Sequence, residues 1–181
     1  LILLVAFALF IIIAVFAYNI LGREKASPST LTEENAAAEE AEPKIQAPDF
    51  TVEDAAGNPV KLSDFFGKPI VVNFWASWCP SCVGEMPEFD AVYTETGADI
   101  TFLMVDLVDG RQETKESGAQ YVADQGYTFP VYFDIDQEAA STYSVMFLPS
   151  TIFIDQDGYI VQGVRGPLTT ESLQEGIAAI Q

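Results

Sequence analysis

The chain has 181 residues and a formal net charge of −19 at pH 7, with 27 acidic and 8 basic residues. This acidic balance argues against nucleic acid or an anionic lipid surface as a partner, because basic patches supply the affinity in both cases. Two cysteines and no histidine argue against a zinc site, which normally needs four protein ligands.

Residues 1–21, LILLVAFALFIIIAVFAYNIL, are almost entirely apolar. A helix of this length reaches about 32 Å, which is enough to cross a bilayer core of about 30 Å. We predict an uncleaved transmembrane anchor. A cleaved signal peptide with a small-residue site at Val15-Phe16-Ala17 is the alternative, although the run is longer than a usual signal core. Arg23 and Lys25 follow the run and by themselves favour a cytoplasmic position for that flank.

Residues 22–46 are rich in Ala, Glu, Ser and Pro and contain few large apolar side chains. Such a stretch buries too little surface to offset its ordering entropy, so we predict an acidic flexible tether. Residues 47–181 have a globular composition. Their length, about 135 residues, is sufficient for one hydrophobic core.

Strand and helix patterns alternate along this globular part. A β-hairpin at the start is followed by buried apolar runs typical of parallel strands and by segments with helical spacing. A second hairpin turns at Gln156-Asp157-Gly158. The order predicts an α/β fold with a central mixed sheet covered on both faces. The predicted strands are 50–53, 58–61, 69–76, 100–107, 131–134, 151–155 and 159–164, and the predicted helices are 80–96, 112–125, 137–143 and one that starts at 169–172.

The only two cysteines, Cys79 and Cys82, lie where the first long buried strand gives way to a helix. A thiolate at Cys79 would be favoured by the unpaired N–H groups and the dipole of the helix N-terminus. Pro80 suits the first helical turn because it has no N–H. Cys82, one turn further in, is expected to be more buried. The predicted chemistry is attack by Cys79 on a substrate disulfide and resolution by Cys82.

Haem attachment and a static bridge account for the Cys-x-x-Cys pair less well than redox chemistry does. Haem attachment of the c type would require histidine at position 83, which is Val83. A purely structural disulfide stays open, but a bridge that closes so short a loop stabilises little.

The sequence resembles the thioredoxin superfamily, and specifically its membrane-tethered TlpA/ResA-like branch, from Ala47 to the C-terminus. The resemblance implies a thioredoxin-like three-layer fold with an N-terminal β-hairpin and an inserted βα element, preceded here by one transmembrane helix. The motifs that carry it are Ala47-Pro48-Asp49-Phe50, Val72-Asn73-Phe74-Trp75-Ala76-Ser77-Trp78-Cys79-Pro80-Ser81-Cys82, Glu85-Met86-Pro87, Leu148-Pro149-Ser150-Thr151, and the glycines Gly158 and Gly163.

The resemblance also implies roles for residues outside the cysteine pair. Pro149 is similar to the family's cis-proline, which would present the backbone of Leu148 to an extended substrate and keep metal off the thiols. Glu85, three residues after Cys82, would share its helix face and move its proton. Asn73 stands where thioredoxin proper has a buried aspartate, which makes Glu85 the natural replacement for that base.

The substrate surface is expected to include two residues of the motif itself, Trp78 and Pro80, together with Leu148 and Pro149. Trp78 flanks the disulfide, whereas Trp75 lies within the strand and is expected to pack in the core.

The family resemblance implies a thiol–disulfide oxidoreductase on the extracytoplasmic side of a bacterial membrane. Its clients would be proteins with disulfides, such as apocytochrome c, and a membrane thiol carrier of the CcdA/DsbD type would supply electrons. We expect no cofactor and no metal beyond the redox-active disulfide. With no histidine to stabilise the thiolate, we expect a reductant or a middling potential rather than a strong oxidant.

Three alternatives accompany this interpretation. A peroxiredoxin-like peroxidase would need threonine and proline where Ala76 and Val72 stand, so it is disfavoured. A non-enzymatic binding module would keep the disulfide fixed. A third alternative retains the chemistry but supplies electrons to an extracytoplasmic methionine sulfoxide reductase or peroxidase.

Overall fold

A mixed sheet with helices on both faces organises residues 44–181, which are the part of the chain that the computed structural model describes. The predicted anchor at 1–21 and most of the predicted tether at 22–46 lie outside these residues. Within 44–181, no helix is both long and apolar enough to cross a membrane. The strands are β1 (Ile45–Gln46), β2 (Thr51–Glu53), β3 (Pro59–Lys61), β4 (Ile70–Trp75), β5 (Thr101–Asp106), β6 (Val131–Phe133), β7 (Ser150–Ile154) and β8 (Tyr159–Arg165). The helices are α1 (Pro80–Thr96), α2 (Lys115–Gln125), α3 (Glu138–Thr142) and α4 (Thr170–Ala178), with a 3₁₀ turn at Leu62–Phe65.

The strand order across the sheet is β1-β8-β7-β4-β5-β6-β2-β3. Strands β4, β5 and β6 run parallel, and β7 lies antiparallel on the other side of β4. The predicted mixed sheet is therefore confirmed. The N-terminal hairpin β2–β3 joins the sheet through β2, which pairs with β6. Strand β6 and helix α3 form the inserted βα pair between α2 and β7.

Successive residues of β4 enter opposite sides of the sheet, and all six are buried. Val71 and Trp75 join one apolar cluster with side chains of α1 and α4, such as Met86 and Leu173. The other face of the sheet has a cluster of its own. Its members include Phe50, Leu62, Val72, Phe74, Leu103, Val105, Ala139 and Ile154. The core thus has two halves with the sheet between them, which is the three-layer arrangement predicted from the sequence.

Two boundaries differ from prediction near α2. The helix begins at Lys115 rather than at residue 112, because the carboxylate of Asp109 accepts three backbone N–H bonds in a tight turn and Thr114 caps the helix. The predicted strand at 100–107 ends one residue earlier, at position 106. Asp106 is the last residue of β5 and is fully buried.

The folded structure also begins before the predicted boundary at residue 47. Ile45 and Gln46 pair with Ile160 and Tyr159 of β8, and they form the edge strand of the sheet. The low apolar content of 22–46 gave no indication of this strand. Both residues of β1 are exposed, and backbone pairing with β8 holds the strand in the sheet.

Candidate active site

Cys79 and Cys82 form a disulfide at the start of α1, directly after the loop that leaves β4. Cys79 is the N-cap of the helix, and its sulfur accepts a hydrogen bond of 3.2 Å from the backbone N–H of Cys82. Pro80 is the first helical residue, as predicted. Cys82 is fully buried and Cys79 is 5% exposed, so the predicted asymmetry has the expected direction but is small in this oxidised form.

The Leu148–Pro149 peptide bond is cis, which is the form expected from the sequence. Because Phe74 pairs with Ser150, the register places Pro149 beside the end of β4, where the cysteine loop starts. The carbonyl of Pro149 accepts a hydrogen bond of 2.9 Å from the N–H of Gly166. Leu148 is partly buried and packs against both apolar clusters.

Three large apolar side chains in the loops of this region are exposed. Trp78, directly before Cys79, is 46% exposed. Met146 and Phe147, directly before Leu148, are also exposed. Their exposure sets them apart from Trp75, which is fully buried in the core as predicted. These loops therefore have exposed apolar surface.

Glu85 lies one turn beyond Cys82 on α1 and is only 2% exposed. Its Oε1 accepts a hydrogen bond of 2.9 Å from the side-chain amide of Asn73 in β4. Its Oε2 accepts one of 2.7 Å from the backbone N–H of Leu168, just before α4. The carboxyl group is therefore fixed between the sheet and two helices rather than solvated.

Burial raises the pKa of Glu85 to about 7, and the hydrogen bonds from Leu168 and Asn73 counteract only part of that shift. A carboxyl group that titrates near neutral pH can both accept and release a proton under physiological conditions. Buried carboxyl groups with raised pKa values are frequent at catalytic sites. The arrangement can thus supply proton transfer beside a disulfide.

Comparison with known proteins places these features in a family. The profile of the AhpC/TSA family matches residues 43–162. The chain belongs to the AhpC/TSA family. Within it, the thiol-disulfide oxidoreductase ResA of Bacillus thuringiensis subsp. konkukian (strain 97-27) is 36% identical over 138 residues, which cover 75% of this chain and 76% of the relative.

Two solved structures resemble this chain. The crystal structure of StoA from Bacillus subtilis is 26% identical with a TM-score of 0.63, and the match covers 74% of this chain and 98% of StoA. The pneumococcal exposed lipoprotein thioredoxin from Streptococcus pneumoniae strain TIGR4 is 29% identical with a TM-score of 0.62, covering 72% of this chain and 98% of that one. This AhpC/TSA family member is a ResA-like thiol–disulfide oxidoreductase with a thioredoxin-like fold.

A polar contact behind the cysteine loop was not predicted from the sequence. Glu113, in the loop before α2, is fully buried and accepts a hydrogen bond of 2.7 Å from the backbone N–H of Ser77. The hydroxyl of Ser77 donates to the same carboxylate. The short polar side chain of Ser77, between Ala76 and Trp78, gave one signal in the sequence.

Proposed function

We propose that this oxidoreductase reduces disulfides of proteins on the extracytoplasmic side of a bacterial membrane, apocytochrome c among them. Cys79 is the attacking thiol, Cys82 the resolving thiol, and Glu85 the group that handles the proton of Cys82. The observation that carries the proposal is the buried carboxyl of Glu85, which is located one helical turn from Cys82 and has a pKa of about 7.

The reaction begins with the reduced pair. The thiolate of Cys79 attacks one sulfur of the client disulfide, which forms a mixed disulfide and releases the other client sulfur as a thiolate that then takes up a proton. Glu85 removes the proton of the Cys82 thiol. The Cys82 thiolate attacks the sulfur of Cys79, which releases the second client thiolate and leaves the Cys79–Cys82 disulfide. Two electrons pass to the client.

The oxidised pair must then be reduced again. The proposed donor is a membrane thiol carrier of the CcdA/DsbD type, whose two thiols reverse these steps and become oxidised themselves. A membrane anchor at residues 1–21 and a tether between it and β1 would keep the domain within reach of such a carrier. The exposed lipoprotein of Streptococcus pneumoniae, named above, supports a position outside the cytoplasm.

The client would dock where the apolar surface meets the disulfide. Trp78 and Pro80 are exposed on one side, and the Leu148–Pro149 segment lies on the other. An extended client strand beside Leu148 would bring its disulfide to Cys79. Met146 and Phe147 enlarge the apolar contact surface. A docking role predicts that Trp78→Ala raises KM for a protein client more than it lowers kcat.

The proposal is tested by trapping mixed disulfides between the protein and its clients in the native membrane. A Cys82→Ser variant of the full chain lacks the resolving thiol, so clients should accumulate on Cys79 as mixed disulfides that a reductant releases. The matched control, Cys79→Ser with Cys82→Ser, should capture none. A Cys82→Ser variant that captures no protein would contradict the proposal. Captured methionine sulfoxide reductases or peroxidases, in place of cytochrome apoproteins, would replace the client named here.

The direction of electron flow has its own test. Equilibration of the Cys79–Cys82 pair against glutathione buffers should give a reducing or intermediate potential, because the chain has no histidine to stabilise the Cys79 thiolate. A potential near the value of about −120 mV that is typical of strong oxidants would contradict a reductase.

A further inference from the structure

A second pair of buried carboxyl groups lies behind the cysteine loop, and the thiol chemistry proposed above does not use it. Asp106 ends β5 and is in register with Trp75, the last residue of β4. Glu113 lies in the loop before α2. Both side chains are fully buried.

The two carboxyl groups differ in their hydrogen bonds. Glu113 accepts from the backbone N–H of Ser77 at 2.7 Å, from the hydroxyl of Ser77 at 2.8 Å and from the hydroxyl of Ser117 at 2.7 Å. Donors of this kind stabilise the charged form of a carboxylate. Asp106 has no such donor, because neither of its oxygens has a hydrogen-bond partner within residues 44–181.

Gly118 of α2 shows how closely the two groups converge. A Cβ atom at this position would overlap Oδ2 of Asp106 and would lie 3.4 Å from Oε1 of Glu113. Both carboxyl groups therefore face the same point of the helix, and only glycine leaves room for them. The negative charge of Glu113 therefore acts on the carboxyl group of Asp106.

The neighbouring elements supply no cation for the pair within residues 44–181. Lys115 of α2 donates to Glu53 of β2 at 2.9 Å and lies over the ring of Phe133 in β6. Asp134, which follows β6, directs its carboxylate to the N–H groups at the start of α3.

Two buried negative charges without a cation are strongly unfavourable, so the pair is expected to retain one proton. The hydrogen bonds locate that proton, because Glu113 is stabilised as an anion and Asp106 is not. Burial and the charge of Glu113 raise the pKa of Asp106 to about 8, which agrees with this distribution.

We infer that Asp106 is a neutral carboxylic acid at physiological pH and acts as a positioning residue for the cysteine loop. The proton on Asp106 leaves Glu113 as the single anion, and Glu113 fixes Ser77, two residues before Cys79. Loss of that proton in alkaline solution would place a second charge beside Glu113 and weaken the anchor of Ser77. The relevance of Asp106 to catalysis depends on the proposed role of Cys79. The protonation state of Asp106 does not depend on that role.

The test follows single carboxyl groups and amides by NMR in the full-length oxidised chain in detergent micelles, from about pH 3 to about pH 10, a range that brackets ordinary and raised carboxyl values. We expect the Asp106 carboxyl to titrate above pH 7. The amide of Ser77 should shift with the midpoint of Asp106. A Glu85→Gln background removes the overlapping titration of Glu85.

Variants distinguish a positioning role of Asp106 from a purely structural role. Asp106→Asn should abolish the pH-dependent shift of the Ser77 amide, and the matched control Asp134→Asn should retain it. If Asp106→Asn does not fold, Ser77→Ala provides a second readout, because loss of the hydroxyl donor leaves the charge of Glu113 less well stabilised and should lower the midpoint of Asp106. An Asp106 carboxyl that titrates in the ordinary range near pH 4, or a Ser77 shift that survives in Asp106→Asn, would overturn the inference. The NMR measurements need no client protein. A failure of this inference can therefore be distinguished from a failure of client capture by Cys79.

Discussion

The side-chain amide of Asn73 donates a hydrogen bond of 2.9 Å to Oε1 of Glu85 and so connects the central strand to the active-site helix. The same amide donates to the hydroxyl of Thr151 in β7 at 3.1 Å. Asn73 thus fixes the position of the carboxyl without adding a charge. A second carboxyl at this position would have raised the pKa of Glu85 further by repulsion.

Glu85→Gln keeps the size of the side chain but cannot titrate. We expect the resolution of a mixed disulfide to slow by about 10²-fold, the lower end of the usual contribution of a general acid or base, and its pH dependence near pH 7 to disappear. Single-turnover reduction of a disulfide-bonded protein across this pH range measures both. Glu95→Gln, at an exposed position on the same helix, should leave rate and profile intact. An unaltered profile in Glu85→Gln would exclude the proton-transfer role.

Asn73→Ala removes a donor that favours the ionised form of Glu85. We expect the pKa of Glu85 to rise by about one unit, the equivalent of one hydrogen bond. A carboxyl NMR titration of the oxidised protein measures the midpoint. Thr151→Ala breaks only the other bond of Asn73 and should shift the midpoint less. If the midpoint fell in Asn73→Ala, the assignment of Asn73 as donor to Glu85 would be wrong.

Local signals made α1 predictable. Its predicted and observed bounds are both residues 80–96, because Pro80 supplies the first turn and Gly97 follows the last residue. The buried strands were also predictable, since apolar residues dominate both six-residue strands, with Asn73 the polar residue of β4 and Thr101 and Asp106 at the ends of β5. The position of Cys79 and Cys82 between such a strand and such a helix was enough to predict the candidate site from the sequence alone.

The second carboxyl pair could not be predicted in the same way. Glu113 reaches Ser77 across 36 positions of sequence, and an aspartate in a segment such as Asp106–Gly110 usually indicates an exposed turn. A backbone donor such as the N–H of Leu168 carries no sequence signal at all. Gly118 within a helix was a local hint in addition to Ser77, because glycine in that position normally destabilises a helix unless something approaches closely.

Two helical glycines with opposite surroundings predict opposite effects on stability. A Cβ atom at Gly176 of α4 would overlap the buried ring of Phe153, so Gly176→Ala should lower the free energy of unfolding by about 1–3 kcal/mol. Gly84 of α1 has open space around it, so Gly84→Ala should raise that free energy by about 0.5–1 kcal/mol. Urea denaturation of the oxidised variants measures both, and equal effects would contradict the packing of α4 on β7.

The stability of the protein should fall as the pH rises from about 5.5 to about 7.5, between ordinary carboxyl values and the raised ones. Glu85 and Asp106 have raised pKa values of about 7 and about 8. Over this window the folded state therefore binds more protons than the unfolded state, and each group contributes a slope of at most about 1.4 kcal/mol per pH unit. Asp54, Asp109 and Asp155 have lowered pKa values and add no slope there, because both of their states are already ionised.

Asp106→Asn isolates one of these contributions. The amide cannot ionise, so the variant should gain stability relative to the parent as the pH rises, and its slope over the window should be shallower. Urea denaturation of the oxidised protein at several pH values, followed by tryptophan fluorescence, measures both curves. Parallel curves for parent and variant would mean that Asp106 is already ionised at neutral pH in the folded state. In that case the anchor of Ser77 would have to tolerate two adjacent charges, which the absence of a neighbouring cation within residues 44–181 makes physically unfavourable.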